Sequence, residues 1–268
     1  MIRMDTTRRE RRQGQAVVRG SLVPESTHDQ RLLDRQGPAD WVHMDPWRVL
    51  RIQAEFVEGF GQLAELPRAV TVFGSARTPA NSAEYAMGRA LGRAIAEAGY
   101  AVITGGGPGV MESANRGASE VDGAVSVGLG IELPFEQRMN EYVDLGIEFR
   151  YFFVRKTMFV KYSCGFIALP GGFGTLDELF EALTLVQTHK VTSFPVVLMG
   201  SEFWGGLIDW IKSTLLGTGK IAEQDLDLIT VTDDVDEAVR IVVESDQARS
   251  RLRQEEIEAA AGHTAEPQ

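Results

Sequence analysis

The chain has 268 residues, a formal net charge of −11 and an apolar content of 44%. That length holds one large α/β domain, or one domain with an accessory arm, and the apolar share suffices for a sizeable core. The acidic balance argues against a general nucleic-acid binder, which presents a basic face, yet admits a small anionic ligand, since local donors rather than net charge hold a phosphate. The single cysteine, Cys164, excludes an internal disulfide and most cysteine-based metal sites, and its place before an apolar run predicts a small core hydrophobe. His28, His43, His189 and His263 lack paired ligand spacing, so no metal centre is expected. No apolar run is long enough to span a membrane. Arg8, Arg9, Arg11 and Arg12 are not followed by the apolar stretch of a secretory signal. A reducing cytoplasm is the expected compartment.

In chain order, residues 1–39 are polar, Arg-rich and without periodicity, which predicts a disordered arm. In the segment 40–67, Asp45-Pro46 supplies an N-cap and a proline at the first helical position. Trp47, Leu50, Phe56, Phe60 and Leu63 follow at spacings that predict an amphipathic helix ending near Leu66, either padding a sheet or mediating self-association. From 68 to 245 short apolar runs alternate with helical periods. The runs lie at 69–73, 100–103, 124–129, 147–153, 165–169, 195–199 and 227–231; the helical stretches lie near 82–98, 109–120, 155–163, 175–188, 203–216 and 234–245. This alternation predicts an α/β domain, a Rossmann-like, open and mostly parallel sheet of about seven strands with helices on both faces. Residues 246–268 are charged and Ala/Glu-rich, predicting a frayed helix and a loose tail.

Two strand ends carry glycine-rich turns. Thr104-Gly105-Gly106-Gly107-Pro108-Gly109 follows Tyr100-Ala101-Val102-Ile103, and Pro170-Gly171-Gly172-Phe173-Gly174-Thr175 follows Phe166-Ile167-Ala168-Leu169. Glycine lets a ligand approach the main chain, and a helix N-terminus beyond such a turn receives an anion, most often phosphate. Two such turns at carboxyl ends of strands point to one ligand crevice. Thr175-x-x-Glu178 also fits a capping box, but a capping box does not require Gly171, Gly172 and Gly174.

The stretch Pro170-Gly171-Gly172-x-Gly174-Thr175-x-x-Glu178, with Arg155-Lys156 and Met158 upstream, resembles the PGGxGTxxE signature of the Lonely Guy (LOG) family. Gly105-Gly106-Gly107-Pro108-Gly109-Val110-Met111 and the Gly74-Ser75 pair after Val72-Phe73 extend the likeness over roughly Arg68 to Val242. Members of the family are cytokinin-activating phosphoribohydrolases and related nucleotide nucleosidases, long labelled lysine decarboxylases. The resemblance implies hydrolysis of a nucleoside 5′-monophosphate to free base and ribose 5-phosphate, without cofactor, by a homodimer or larger assembly of the chain.

Breaking an N-glycosidic bond develops positive charge on the ribose. A carboxylate near C1′ stabilises it and can position water, and Glu178, one helical turn beyond a phosphate-binding Thr175, suits that task in its ionised form, which the helix dipole favours. Glu181 shares its helix face as a weaker second acid; Asp177 points elsewhere, and Thr184 fits helix packing. Arg155 at a helix start opposes the dipole, marking it as functional; the resemblance makes it the catalytic partner of Glu178. Lys156 fits a surface or carboxylate-pairing role, and Arg150 is a possible helper. Ser75, Gly106, Gly107, Gly171, Gly172, Gly174 and Thr175 are the expected substrate-binding residues, with capping of the following turn an equal alternative for Ser75. Glu136 joins them because it matches a substrate-contacting acid of the family by position, with Glu132 competing; Met111 packs on a ring or in the core. Gly105-x-Gly107-x-x-Val110 breaks the dinucleotide fingerprint, and no P-loop sequence is present. Two other classes stay open: a noncatalytic nucleotide sensor or carrier on the same fold, and a pyridoxal-dependent decarboxylase, for which His189-Lys190 is a poor anchor.

Overall fold

The computed structural model describes residues 10–13, 16–19, 23, 26–33, 46–133, 138–188, 190 and 194–263. Within the arm expected to lack structure lie a hairpin of β1 (Glu10–Gln13) and β2 (Ala16–Arg19) and a short helix α1 (His28–Leu33). Helix α2 (Pro46–Gln62) opens on the proline foreseen at its first position. The domain then alternates β3 (Ala69–Phe73), α3 (Ala83–Glu97), β4 (Ala101–Thr104), α4 (Val110–Ser119), β5 (Ser126–Ile131), β6 (Leu145–Phe149), α5 (Phe152–Tyr162), β7 (Ser163–Ala168), α6 (Phe173–Gln187), β8 (Val196–Met199), α7 (Ser201–Trp210), β9 (Ile229–Thr232) and α8 (Val235–His263).

Strands β3 to β9 form one parallel sheet in the order β6-β5-β4-β3-β7-β8-β9. The inner strands are continuous apolar runs because both of their faces are covered. Along β3, Ala69 and Phe73 enter one core with Met158, Phe159, Leu179 and Trp204 of α5, α6 and α7, while Val70 and Val72 enter the other with Leu91, Val110, Ala114 and Val242 of α3, α4 and α8. The Rossmann-like sheet with helices on both faces is thus as the sequence predicts.

Two boundaries shift, and the first matters for the site. The apolar run 147–153 is divided: β6 ends at Phe149, and Phe152 already belongs to α5. A buried carboxylate makes the break, since Glu55 of α2 accepts from the Arg150 N–H at 3.0 Å and from the Arg150 guanidinium at 3.3 Å. At the other end α8 continues to His263 as one helix. Its anchor is Asp246, 2% exposed, which accepts from Arg68 Nη1 at 2.7 Å, Tyr100 Oη at 2.8 Å and Arg249 Nη2 at 2.9 Å. Together these donors hold its carboxyl pKa low against the opposing effect of burial.

Helix α4, which follows the first glycine turn, is pinned to α3 by backbone contact. A Cβ on Gly117 would lie 1.9 Å from Arg89 O, and one on Gly92 would lie 2.0 Å from Ala114 O. Gly117→Ala therefore forces the helices apart and should cost about 1–3 kcal/mol, as overpacking does. Chemical denaturation checks this; stability equal to the wild type would mean that α4 is not fixed by this contact.

Candidate active site

The sheet reverses its winding between β3 and β7, where an open α/β sheet leaves a crevice beyond the strand ends. Backbone bonds close its floor: Leu169 N–H donates to Phe73 O at 2.9 Å and Ser75 N–H to Pro170 O at 3.0 Å. Above it lies a cleft of about 720 Å³, lined by Ser75, Gly106, Gly107, Arg155, Gly172, Gly174, Thr175 and Glu178 among others. Most of the expected residues therefore converge. Gly171 does not line this cleft; it backs onto Thr175, whose Oγ1 would be 2.1 Å from a Cβ there. Glu136 lies outside the described residues.

Helix α6 starts at Phe173 with Gly172 as its N-cap, so Thr175 is the third helical residue and no capping box with Glu178 exists. The N–H groups of Phe173 and Gly174 have no acceptor among the described residues, whereas that of Thr175 turns back to Gly172 O at 3.0 Å. On the opposite wall Gly106 takes φ +71°, a conformation glycine reaches without strain. Its N–H is spent on Thr104 Oγ1 at 2.9 Å. Asn140 Nδ2 donates to Gly106 O, Gly107 O and Asn115 Oδ1 at 3.1, 3.0 and 2.9 Å. Asn115, fully buried, accepts in turn from Thr104 Oγ1 at 2.6 Å. The turn is thus held from behind, and Gly106 contributes close approach rather than a donor.

Arg155, the fourth residue of α5, and Glu178, in the second turn of α6, face each other with Nη2 and Oε1 4.0 Å apart. Glu178 is 2% exposed, and neither of its oxygens nor Arg155 Nε has a hydrogen-bond partner among the described residues. Desolvation pushes the Glu178 carboxyl pKa up to about 7 against the opposing charges of Lys156 and Arg155. The same desolvation lowers the Arg155 guanidinium pKa, with Glu178 opposing. The expectation that the helix dipole keeps Glu178 ionised is corrected here: the dipole acts within the first turn, and burial in the second turn outweighs it. The rings of Phe152 and Phe159 lie 5.1 and 5.4 Å from the Arg155 guanidinium.

Other expectations sort by contact. Lys156 Nζ donates to Asp177 Oδ2 at 2.9 Å and to Glu181, fulfilling its carboxylate-pairing role and tying Glu181 down. Arg150 serves Glu55, and Thr184 Oγ1 bonds its own helix at Phe180 O. Met111 lies over Gly105 in the cleft wall. Glu132 accepts from the His28 N–H at 2.8 Å and contacts His28 Nδ1 at 2.7 Å, while Asp29 accepts from Phe152 N–H at 3.1 Å, so α1 docks at the start of the Arg155 helix. Sequence reasoning missed Glu148, Met139 and Phe152 in the lining and Asn140 behind it. The signal for Glu148 was present: an acid inside the apolar run 147–153 breaks the local pattern.

The raised Glu178 pKa has a stability consequence. The folded chain retains its proton to about pH 7, whereas the unfolded chain loses it near pH 4.5, so the native state binds more protons in between and ionisation works against folding as pH rises through that window. Glu178→Gln removes this cost. It should stabilise the fold above pH 7 by about 3 kcal/mol as an order of magnitude, with the difference shrinking toward pH 4.5. Urea unfolding of both proteins across that range checks it; a pH-independent difference would contradict the burial argument.

The comparisons with known proteins agree with this geometry. Residues 111–242 match the family model described as "Possible lysine decarboxylase". A cytokinin riboside 5′-monophosphate phosphoribohydrolase of Mycobacterium tuberculosis is 32% identical over 171 residues, 62% of this chain and 88% of that protein. One from Rhodococcoides fascians is 27% identical over 187 residues, 68% of this chain and 92% of that protein. Among solved structures, the molybdenum cofactor carrier protein of Chlamydomonas reinhardtii superposes with a TM-score of 0.50 at 26% identity, over 67% of this chain and 98% of that one. The signature stretch, the folded sheet and the relatives coincide, and the chain belongs to the LOG family, with cytokinin riboside 5′-monophosphate phosphoribohydrolases among the relatives of this chain.

Proposed function

We propose that the chain hydrolyses the N-glycosidic bond of AMP-like nucleoside 5′-monophosphates, including N6-modified AMP, to free base and ribose 5-phosphate. The observation that carries this is the Arg155–Glu178 pair: an ion pair kept only for stability would be hydrogen-bonded, whereas here three buried polar atoms have no partner among the described residues. The cleft has the volume of a small-molecule site.

In this reading the 5′-phosphate sits at the start of α6, where the Phe173 and Gly174 N–H groups, the Thr175 hydroxyl and the helix dipole favour an anion. Gly172 and Gly174 allow its approach, and Ser75 closes the far side. Glu178, ionised, stabilises the ribosyl cation and accepts a proton from the attacking water. Arg155 stabilises the electrons that depart with the base, and the proton that Glu178 took from the water passes through solvent to the departing nitrogen. Gly106 and Gly107 shape the wall, and no metal or organic cofactor takes part.

The pyridoxal reading finds no support in the cleft, since no lysine is among the described residues lining it and Lys156 is held by two carboxylates. The carrier reading draws on the likeness to the Chlamydomonas protein. The Arg155–Glu178 pair weighs against it, because a carrier needs no unpartnered acid beside the ribose.

We place this enzyme in the cytoplasm, as a homodimer or larger assembly. Among the described residues no helix is long and apolar enough to cross a membrane. Trp47 and Val57 of α2, 70% and 72% exposed with Leu50 between them, offer an apolar face for self-association. Sedimentation at micromolar concentration should show a species heavier than the 29.5 kDa chain; a purely monomeric profile would contradict the assembly.

Incubation with nucleoside monophosphates should release base from AMP in the presence of chelator, and far less from adenosine. Since Glu178 must be ionised, kcat/KM should fall as pH drops below about 7. Glu178→Gln should slow turnover by roughly a hundredfold or more while AMP binding persists. Equal turnover of adenosine and AMP would remove the phosphate anchor, and a near-wild-type rate in the variant would remove Glu178 from the chemistry.

A further inference from the structure

Beyond Arg155 the cleft reaches a second acid that no motif contains. Glu148 stands near the carboxyl end of the edge strand β6, in register with Gly130 of β5. Its carboxylate lies over that glycine: a Cβ on Gly130 would meet Glu148 Oε1 at 2.7 Å. Glycine in a strand marks such a close approach. Gly130 and Glu148 line the cleft together with Ile131, Leu133, Met139 and Phe152. Arg138 lines the cleft beside Met139, so this end combines apolar side chains with a cation, and the ring of Phe152, 40% exposed, offers a planar heterocycle a wall to lie on.

Glu148 has charged neighbours but no hydrogen-bond donor among the described residues. It keeps solvent access through the cleft, yet desolvation raises its carboxyl pKa, with Arg155 of α5 opposing and Glu132 beyond β5 reinforcing. Glu148 itself is exposed to solvent, whereas three more deeply buried acids outside the cleft are satisfied. Glu55 takes the Arg150 N–H, Asp246 takes Tyr100 and Arg68, and Glu132 takes His28. Arg155 is attracted most to Glu178 and then to Glu148, with Asp177 and Asp29 adding less. With phosphate at α6 and C1′ at Glu178, the base extends past Arg155 toward this acceptor.

We propose that Glu148 is a specificity-determining residue that accepts a hydrogen bond from an exocyclic N–H of the base, restricting the substrate to nucleotides whose base carries an amino or alkylamino group. The inference rests on the phosphoribohydrolase reading and names its substrate class. A base without that donor would cover the carboxylate and leave it unpaired, which a site penalises more than a missing methylene.

The test compares kcat/KM for AMP and for purine riboside 5′-monophosphate, which differs only in lacking the 6-amino group, on the full-length wild type, Glu148→Ala and Glu148→Gln. The wild type should prefer AMP by roughly tenfold to a hundredfold. In Glu148→Ala that preference should collapse toward unity, mostly through loss on AMP. Glu148→Gln, with an acceptor oxygen but no charge, should fall between. A wild-type ratio near one, or a Glu148→Ala variant that loses both substrates equally, overturns the inference and leaves hydrolysis standing. Should Glu148→Ala not fold, an unchanged ratio in Glu148→Gln overturns it. Wild-type protein that releases base from neither nucleotide overturns the phosphoribohydrolase reading and this inference with it.

Discussion

A guanidinium and a carboxylate buried 4.0 Å apart without a hydrogen bond are an expensive arrangement, and much of the domain serves to keep them so. Withdrawing two charges from water costs several kcal/mol per ion unless good geometry repays it. Here the repayment is partial. The Glu178 pKa is raised, the Arg155 pKa is lowered, and the mutual attraction offsets desolvation at neither end. A group that ionises near neutrality, beside a cation, at the switch point of a parallel sheet, is poised to respond to charge developing on a ligand.

The surroundings hold the pair from outside the cleft. Glu55 ends β6 and sets where α5 begins, which fixes the turn of helix that carries Arg155. Asp29 accepts from the first N–H of that helix, so the docked α1 reinforces the same start. Lys156 ties α5 to α6 through Asp177 and Glu181 and acts on Glu178 only through its charge, while its neighbour Arg155 faces the Glu178 carboxylate at 4.0 Å. On the far wall Asn140, Asn115 and Thr104 lock the Gly106–Gly107 turn through its carbonyls and one N–H. The cleft is therefore preorganised by polar contacts behind its lining that a ligand need not supply.

The sequence made the frame legible because apolar runs in a parallel sheet are long and unambiguous, and because glycine turns mark the strand ends. It also made Arg155 and Glu178 legible, one by its place against the dipole and the other by its signature. The start of α6 was not, since Thr175-x-x-Glu178 imitates a capping box while Gly172 is the actual N-cap. The division of 147–153 was hidden because its cause, Glu55, lies 95 residues away in sequence. Gly106 illustrates the same limit: its identity announces a turn, but only tertiary contact reveals that its N–H belongs to Thr104. Gly171 and Gly174 read alike in sequence, yet Gly171 packs on Thr175 and only Gly174 lines the cleft. Such features depend on partners distant in the chain, which local pattern does not encode.

The central claim is that the Arg155–Glu178 pair brackets the glycosidic bond of a nucleotide whose phosphate lies at the start of α6. A crystal structure of Glu178→Gln with AMP tests it most directly, because the slowed variant should retain the intact nucleotide. The account predicts the phosphate on the Phe173 and Gly174 N–H groups, C1′ beside the carboxamide introduced at position 178 and the base beyond Arg155 toward Glu148. An intact nucleotide bound the other way round, with its base at α6 and its phosphate on Arg155, would contradict it.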